Sequence, residues 1–115
     1  MAKSINVVHL LGRVGKDPVV RYTGSGKVVA TFSLATENYK KETQWHTIVA
    51  WGGLTEKPIA KGAEVDLTGE IQYRSYEAKD GSKRYVTEII AREITVIGAV
   101  EKETKTEITD DDIPF

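Results

Sequence analysis

The sequence contains no cysteine, only two histidines and only three prolines. Without cysteine there are no disulfides, no thiolate metal sites and no thiol nucleophile. His9 and His46 lie far apart in the chain and lack the i, i+4 spacing of a metal-binding pair, so structural roles are expected for them. Serine is scarce and no Gly-x-Ser-x-Gly elbow is present. Gly24-Ser25-Gly26-Lys27 has the look of a phosphate loop. The full pattern needs a further glycine at Arg21 and a hydroxyl residue at Val28, so the match fails. No apolar run approaches the roughly 20 residues of a membrane span. Met1-Ala2-Lys3-Ser4 leads into a strand-like stretch rather than the apolar region of a signal peptide. These absences predict a cytoplasmic protein that is not an enzyme, with no metal, no cofactor and no membrane partner.

What is present points to β structure. At 115 residues, 40% of them hydrophobic, the chain suits one domain plus a short tail. Ile5 to Val14, Val28 to Thr36, Gln44 to Gly52, Glu64 to Tyr76 and Lys83 to Val100 read as strands. In the fourth, Val65, Leu67, Gly69, Ile71 and Tyr73 alternate with polar residues, which predicts one buried and one wet face. Turns are expected at Lys16-Asp17-Pro18, at Thr23 to Lys27 and at Lys79-Asp80-Gly81-Ser82. The alternation of the last strand is disturbed near Ile89-Ile90, where a bulge or bend is expected. Leu54 to Lys61 has room for a helix, which Pro58 limits to about one turn. Five long strands with a short helical insert predict a small all-β barrel of the oligonucleotide/oligosaccharide-binding type.

Charge divides the chain. Residues 1–98 hold 14 basic and 11 acidic side chains, a net +3, while residues 99–115 hold 2 and 6, a net −4. A domain over 1–98 and an acidic tail over 99–115 are expected. The tail ends in Asp110, Asp111, Asp112, Ile113, Pro114 and Phe115. An acid run before an apolar end with a free carboxylate suits a portable peptide ligand held by a basic pocket on another protein.

In the body, aromatic residues are interleaved with bases. Tyr39, Trp45, Trp51, Tyr73, Tyr76 and Tyr85 lie among Arg21, Lys27, Lys40, Lys41, Arg74, Lys79, Lys83 and Arg84. Single-stranded nucleic acid offers base faces that stack on such rings and phosphates that seek cations. Trp45 and Trp51 are six residues apart, so a regular strand puts them on one face. About half of the aromatics are expected in the core.

Several segments together resemble a bacterial-type single-stranded DNA-binding protein. They are Gly12-Arg13-Val14-Gly15-Lys16-Asp17-Pro18 with Arg21-Tyr22-Thr23, then Val29 to Thr36, Thr43-Gln44-Trp45-His46, and Lys61-Gly62 leading to Gly69. Asp80-Gly81, Arg84-Tyr85, Thr87-Glu88 and the Asp-Asp-Asp-Ile-Pro-Phe tip complete the set. The resemblance implies a homotetramer that wraps single-stranded DNA and docks replication and repair proteins through its tip. It implies stacking by Trp45, Trp51, Tyr39 and Tyr76, cations at Arg21, Arg74 and Arg84 along the DNA path, and His46 near the subunit interface; Lys40, beside Tyr39, is a further candidate DNA contact from its own setting. The hairpin from Tyr39 to Thr43 and the linker after Gly98 are shorter than is usual in the family, Thr47 replaces a common arginine, and the helical insert is trimmed. Such a compact chain resembles phage- or plasmid-type members. The alternative is a primosome-type barrel that works as a protein-interaction module, for which the acidic tip is not expected.

Overall fold

The computed structural model describes residues 3–98, so the acid run, the Ile113-Pro114-Phe115 tip and the tail as a whole lie outside the described residues. Six strands follow in order: β1 (Val8–Val14), β2 (Val19–Tyr22), β3 (Val28–Glu37), β4 (Thr43–Trp51), β5 (Glu64–Glu77) and β6 (Lys83–Gly98). Antiparallel pairing joins β1 to β5, β5 to β6 and β4 to β3, while β6 and β4 run parallel through Ile48↔Ile89 and Val49↔Ile90. The circuit closes where the end of β1 also pairs with β3, at Arg13↔Ala35 and Val14↔Leu34. The result is the expected five-stranded barrel. Val19–Tyr22, which lies between the two expected turns and outside the expected strands, is a sixth short strand paired only with β3. All four of its residues are exposed, which is why burial patterning does not reveal it.

Alternation fills the barrel. Ala30, Phe32 and Leu34 of β3 face Ala50, Ile48 and His46 of β4 in register. Ala63 just before β5, Val65 and Leu67 of β5, Ile89, Ala91 and Ile94 of β6, and Val14 of β1 complete the buried cluster. Leu34, Ile48, Leu67 and Val65 are fully buried, each removal from water stabilising by roughly 1.5–3 kcal/mol. Closure needs a residue without a side chain at Gly12, where an added Cβ would lie 2.1 Å from the Ala35 carbonyl oxygen.

The helical insert is a single 3-10 turn, Gly52–Glu56, ending just before Pro58. The irregularity expected near Ile89-Ile90 falls slightly later. Thr68 pairs with Glu93 and Gly69 with Ala91, leaving Arg92 as the extra residue of a bulge. Past the bulge Ile89 still pairs with Ile48 of β4 and lies in the core opposite Ile71; only beyond that pair do β5 and β6 continue as a two-stranded arm that leaves the barrel. Tyr73, expected on the buried face by alternation, is therefore 74% exposed.

Three hairpin turns share one form. Each has a turn bond closing back on its first residue, at Thr23, Asn38 or Ala78, and a second bond bridging that residue to Lys27, Glu42 or Ser82. Each places its fourth residue in the left-handed region: Gly26 at φ +90°, Gly81 at φ +87° and Lys41 at φ +67°. Only the middle turn puts a side chain there. Asn38 offsets the strain by accepting from the backbone N–H groups of Lys40 and Glu42 at 2.8 and 3.0 Å. A left-handed L-residue costs about 1–2 kcal/mol, and glycine returns part of that as unfolded-chain entropy. Lys41→Gly is expected to raise stability by up to about 1 kcal/mol, read as a higher midpoint in thermal denaturation; a lower midpoint would contradict the strain.

Candidate nucleic-acid interface

The outer face of the barrel is set by the same registers that set the core. Because Ile48 and Ala50 point inward, Trp45, Thr47, Val49 and Trp51 point outward. Across β3 their partners are Ala35, Ser33, Thr31 and Val29, and Arg21 of β2 stands opposite Val29, extending the Trp51 row. On the other side, Ile90 of β6 continues the Val49 row to Glu70 of β5. From Glu70 outward along the arm the same face carries Gln72, Arg74 and Tyr76; Ile90, Glu88, Val86 and Arg84 stand opposite these four. Trp45, Trp51, Arg21, Arg74, Tyr76 and Arg84, scattered along the sequence, thus project from one continuous surface.

Strand direction orders them along that surface. Because β4 and β6 are parallel, the β3–β4 and β5–β6 hairpin tips leave the same end of the barrel. Tyr39 and Lys40 sit at the first tip, with the Lys40 ammonium 5.6 Å from the Tyr39 ring centre. Tyr76 and Arg84 lie beside the second. Trp45 stands nearest the tips and Trp51 with Arg21 at the far end, about 20 Å away for six residues of strand. Between them an open groove of about 360 Å³ is lined by Val29, Thr31, Val49, Trp51, Glu70, Gln72, Arg74, Glu88 and Ile90.

The aromatics lie outside the core to a greater extent than composition implies. Among the described residues, Phe32 is the one buried aromatic; Trp45 is 59% and Trp51 42% exposed, and all five tyrosines are exposed. Tyr73 and Tyr85 occupy the opposite face of the arm from Tyr76. Two glycine contacts explain part of the geometry. A Cβ on Gly15 would lie 2.5 Å from the Trp45 ring, so the indole closely approaches bare backbone there. Gly69 lets β6 approach closely at the root of the arm, where an added Cβ would meet the Ile90 carbonyl oxygen at 2.2 Å.

The groove also contains an ion pair that residue-by-residue reading of the sequence misses. Arg74 donates from Nε to Glu88 Oε1 and from a terminal nitrogen to Oε2, both at 3.0 Å, and Gln72 donates to Oε1 at 3.3 Å. The Glu88 side chain is 7% exposed and that of Arg74 49%. The hydrogen bonds from Arg74 hold the Glu88 carboxyl below the usual carboxylate range despite its burial, and Glu88 in turn raises Arg74. The sequence does carry a signal for this pair. A hairpin centred on Asp80 sets Gln72 opposite Glu88 and Arg74 one diagonal step away. Arg84, by contrast, donates to the Ser82 hydroxyl and lies 3.7 Å from Asp80, and both side chains of that pair are more than half exposed.

His46 stands apart from this face. It lies on the inner side of β4, half-buried, with Nε2 2.8 Å from the Thr36 hydroxyl. Desolvation lowers its pKa, which favours the neutral ring. His9 lies 2.8 Å from Asp66 across β1 and β5, outside the groove. Among the described residues there is no group of three or more potential metal ligands, and no helix is long and apolar enough to cross a membrane.

The contact between Gly15 and Trp45 makes a local prediction. Gly15→Ala is expected to push the indole off the backbone and change its solvent exposure, shifting tryptophan emission with little loss of fold. The emission maximum in a Trp51→Phe background reads Trp45 alone; an unshifted maximum would count against the close approach to Gly15.

Comparison with known proteins identifies the family. Residues 5–97 match the model of the Single-strand binding protein family. The chain is 40% identical over 111 residues to Single-stranded DNA-binding protein 1 of Chlorobaculum tepidum, covering 86% of this chain and 68% of that one. It is 46% identical over 99 residues to Single-stranded DNA-binding protein 3 of Clostridium acetobutylicum, covering 78% and 69%. The chain thus spans about two thirds of the length of these relatives. A solved structure, the Plasmodium falciparum SSB complex with ssDNA, superimposes with a TM-score of 0.73 at 31% identity, covering 84% of this chain and 98% of that one. With a five-stranded barrel, an aromatic and basic outer face and a family match over nearly all described residues, this chain belongs to the single-strand binding protein family.

Proposed function

We propose that the chain binds single-stranded DNA without strong sequence preference, stacking bases on exposed rings and meeting phosphates with cations. The observation that carries this reading is the shared face of Trp45, Trp51, Tyr76, Arg21 and Arg84 on either side of an open groove. Rings this exposed lie in water at a hydrophobic cost, which stacking on a base relieves. Every base has a π-face, so such a platform is tolerant of sequence. Tyr39 and Lys40 extend the platform at the hairpin tip. The relatives named above and the solved complex with ssDNA support the same ligand. The chain then protects single strands during replication, recombination and repair, in the cytoplasm and without catalysis.

Two further parts of the reading rest on other features. A homotetramer is proposed because Leu11 of β1, Ile5 and Val7 just before it, and Ile97 at the end of β6 are apolar side chains left in water. His46 is assigned to the neighbourhood of a subunit contact. The Asp110 to Phe115 tip is assigned to docking of replication and repair proteins, with Phe115 as anchor and the acid run speeding encounter with a basic rim.

Titration with oligo-dT is expected to quench tryptophan emission, and Trp51→Ala to weaken binding without unfolding. Removing one aromatic–base stack costs roughly 1–3 kcal/mol, a range already established on single-strand binding proteins themselves. Affinity should fall with salt by about 0.7 log units per log unit for each phosphate neutralised. Unquenched emission at saturating oligo-dT would refute the stacking role, and a monomer in light scattering at micromolar concentration would refute the assembly. Deleting Ile113 to Phe115 should abolish capture of replication proteins while leaving oligo-dT affinity intact; a deletion that cripples DNA binding would place the tip within the domain.

A further inference from the structure

The groove floor is not cationic. Of its nine lining residues, Glu70 and Glu88 are acidic and Arg74 alone is basic. Glu70 is engaged by Arg92, the extra residue of the β6 bulge. Arg74 gives Nε and one terminal nitrogen to Glu88, the edge of the guanidinium best shaped for a bidentate anion. A phosphate approaching Arg74 therefore finds that edge occupied and a second negative charge beneath it. Among the described residues, Arg21 and Arg84, on the same face, have no carboxylate engaged in this way; Arg84 lies 3.7 Å from Asp80 in an exposed pair.

We propose that Glu88 is an affinity-setting residue: by neutralising Arg74 from beneath the groove, it keeps phosphates off the floor and confines them to the Arg21 and Arg84 rim, leaving the floor to bases. The inference rests on the nucleic-acid reading above and deepens it. The physical cause is competition. Phosphate gains from Arg74 only what remains after Glu88 is displaced or left paired, so the two side chains together add almost nothing to phosphate attraction. The floor beside them is apolar, with Val29, Val49, Trp51 and Ile90, and suits the flat face of a base better than an ionised group. Gln72 ties Glu88 into place from the same strand as Arg74, so the carboxylate stays under the groove. A buried charge is tolerated there because all three donors satisfy it.

The test measures oligo-dT binding over a salt series for the full chain and for E88Q, R74Q, R84Q and the double variant R74Q/E88Q, with thermal melts for each. E88Q frees Arg74 and is expected to tighten binding roughly fivefold at low salt, the factor for about one exposed charge pair. Its salt dependence should steepen by about 0.7 in the log–log slope, one more neutralised phosphate. R74Q is expected to weaken binding more than R84Q, because it leaves Glu88 uncompensated below the strand. The double variant removes both charges with little change of shape, and is expected to bind within about twofold of wild type with an unchanged slope. That comparison stands even if E88Q or R74Q alone melts below the assay temperature. Binding by a folded E88Q that is equal to or weaker than wild type, or a double variant as weak as R84Q, would overturn the inference while leaving the nucleic-acid reading intact. A wild-type chain that does not bind oligo-dT would overturn the nucleic-acid reading itself.

Discussion

The register of β4 between β3 and β6 is the constraint on which the rest depends. One set of alternate residues, Ile48 and Ala50, completes the core, and the other, Trp45, Val49 and Trp51, forms the outer platform. A slip of one residue exchanges the two sets, placing tryptophans in a barrel already filled and exposing Ile48. Core packing therefore fixes the platform as firmly as it fixes the fold. Barrel closure enforces the same register from the other side. β1 reaches β3 only because Gly12 allows the Ala35 carbonyl to come close, and that contact locks β3 against sliding.

A second consequence of closure is the arm. β5 and β6 are longer than the barrel needs, and past the Ile48↔Ile89 contact with β4 they continue as a pair on their own. Gly69 sits at the root, where the strands approach too closely for a side chain. Beyond the Gln72–Glu88 pair the two faces of the ribbon are both wet, with exposed tyrosines on one side and Arg74 with Tyr76 on the other. The groove is the angle between this arm and the β3–β4 face. It exists because one strand pair serves two surfaces in succession.

The electrostatics of that groove differ from a simple basic channel. Positive charge stands at its ends and rim, in Arg21, Arg84 and Lys40, while the floor is apolar or internally neutralised. A net charge of only +3 on residues 1–98 is consistent with such economy. Exposed aromatic area outweighs charge on this face, and the mean charge of the body is a poor guide to its make-up. Placement of a few cations relative to exposed rings matters more than their number.

Much is legible from the chain alone. Strand composition and patterning locate five of the six strands and the core of β3 and β5, Asp80-Gly81 locates a hairpin, and the six-residue spacing of Trp45 and Trp51 puts them on one face. Pro58 restricts the insert to a single turn. These features are local, so short-range sterics and alternation suffice to decide them. Other features come only with tertiary structure. β2 has no buried residue and exists because the β3 edge offers it a partner. Tyr73 follows a burial pattern but is exposed, because the strand has already left the barrel. Arg74 is legible as a cation, yet its engagement with Glu88 depends on the hairpin register and on burial beneath the groove. The sequence by itself determined which residues alternate and where the chain turns; tertiary closure decided which alternating face meets water, because that depends on what packs against a strand rather than on the strand itself.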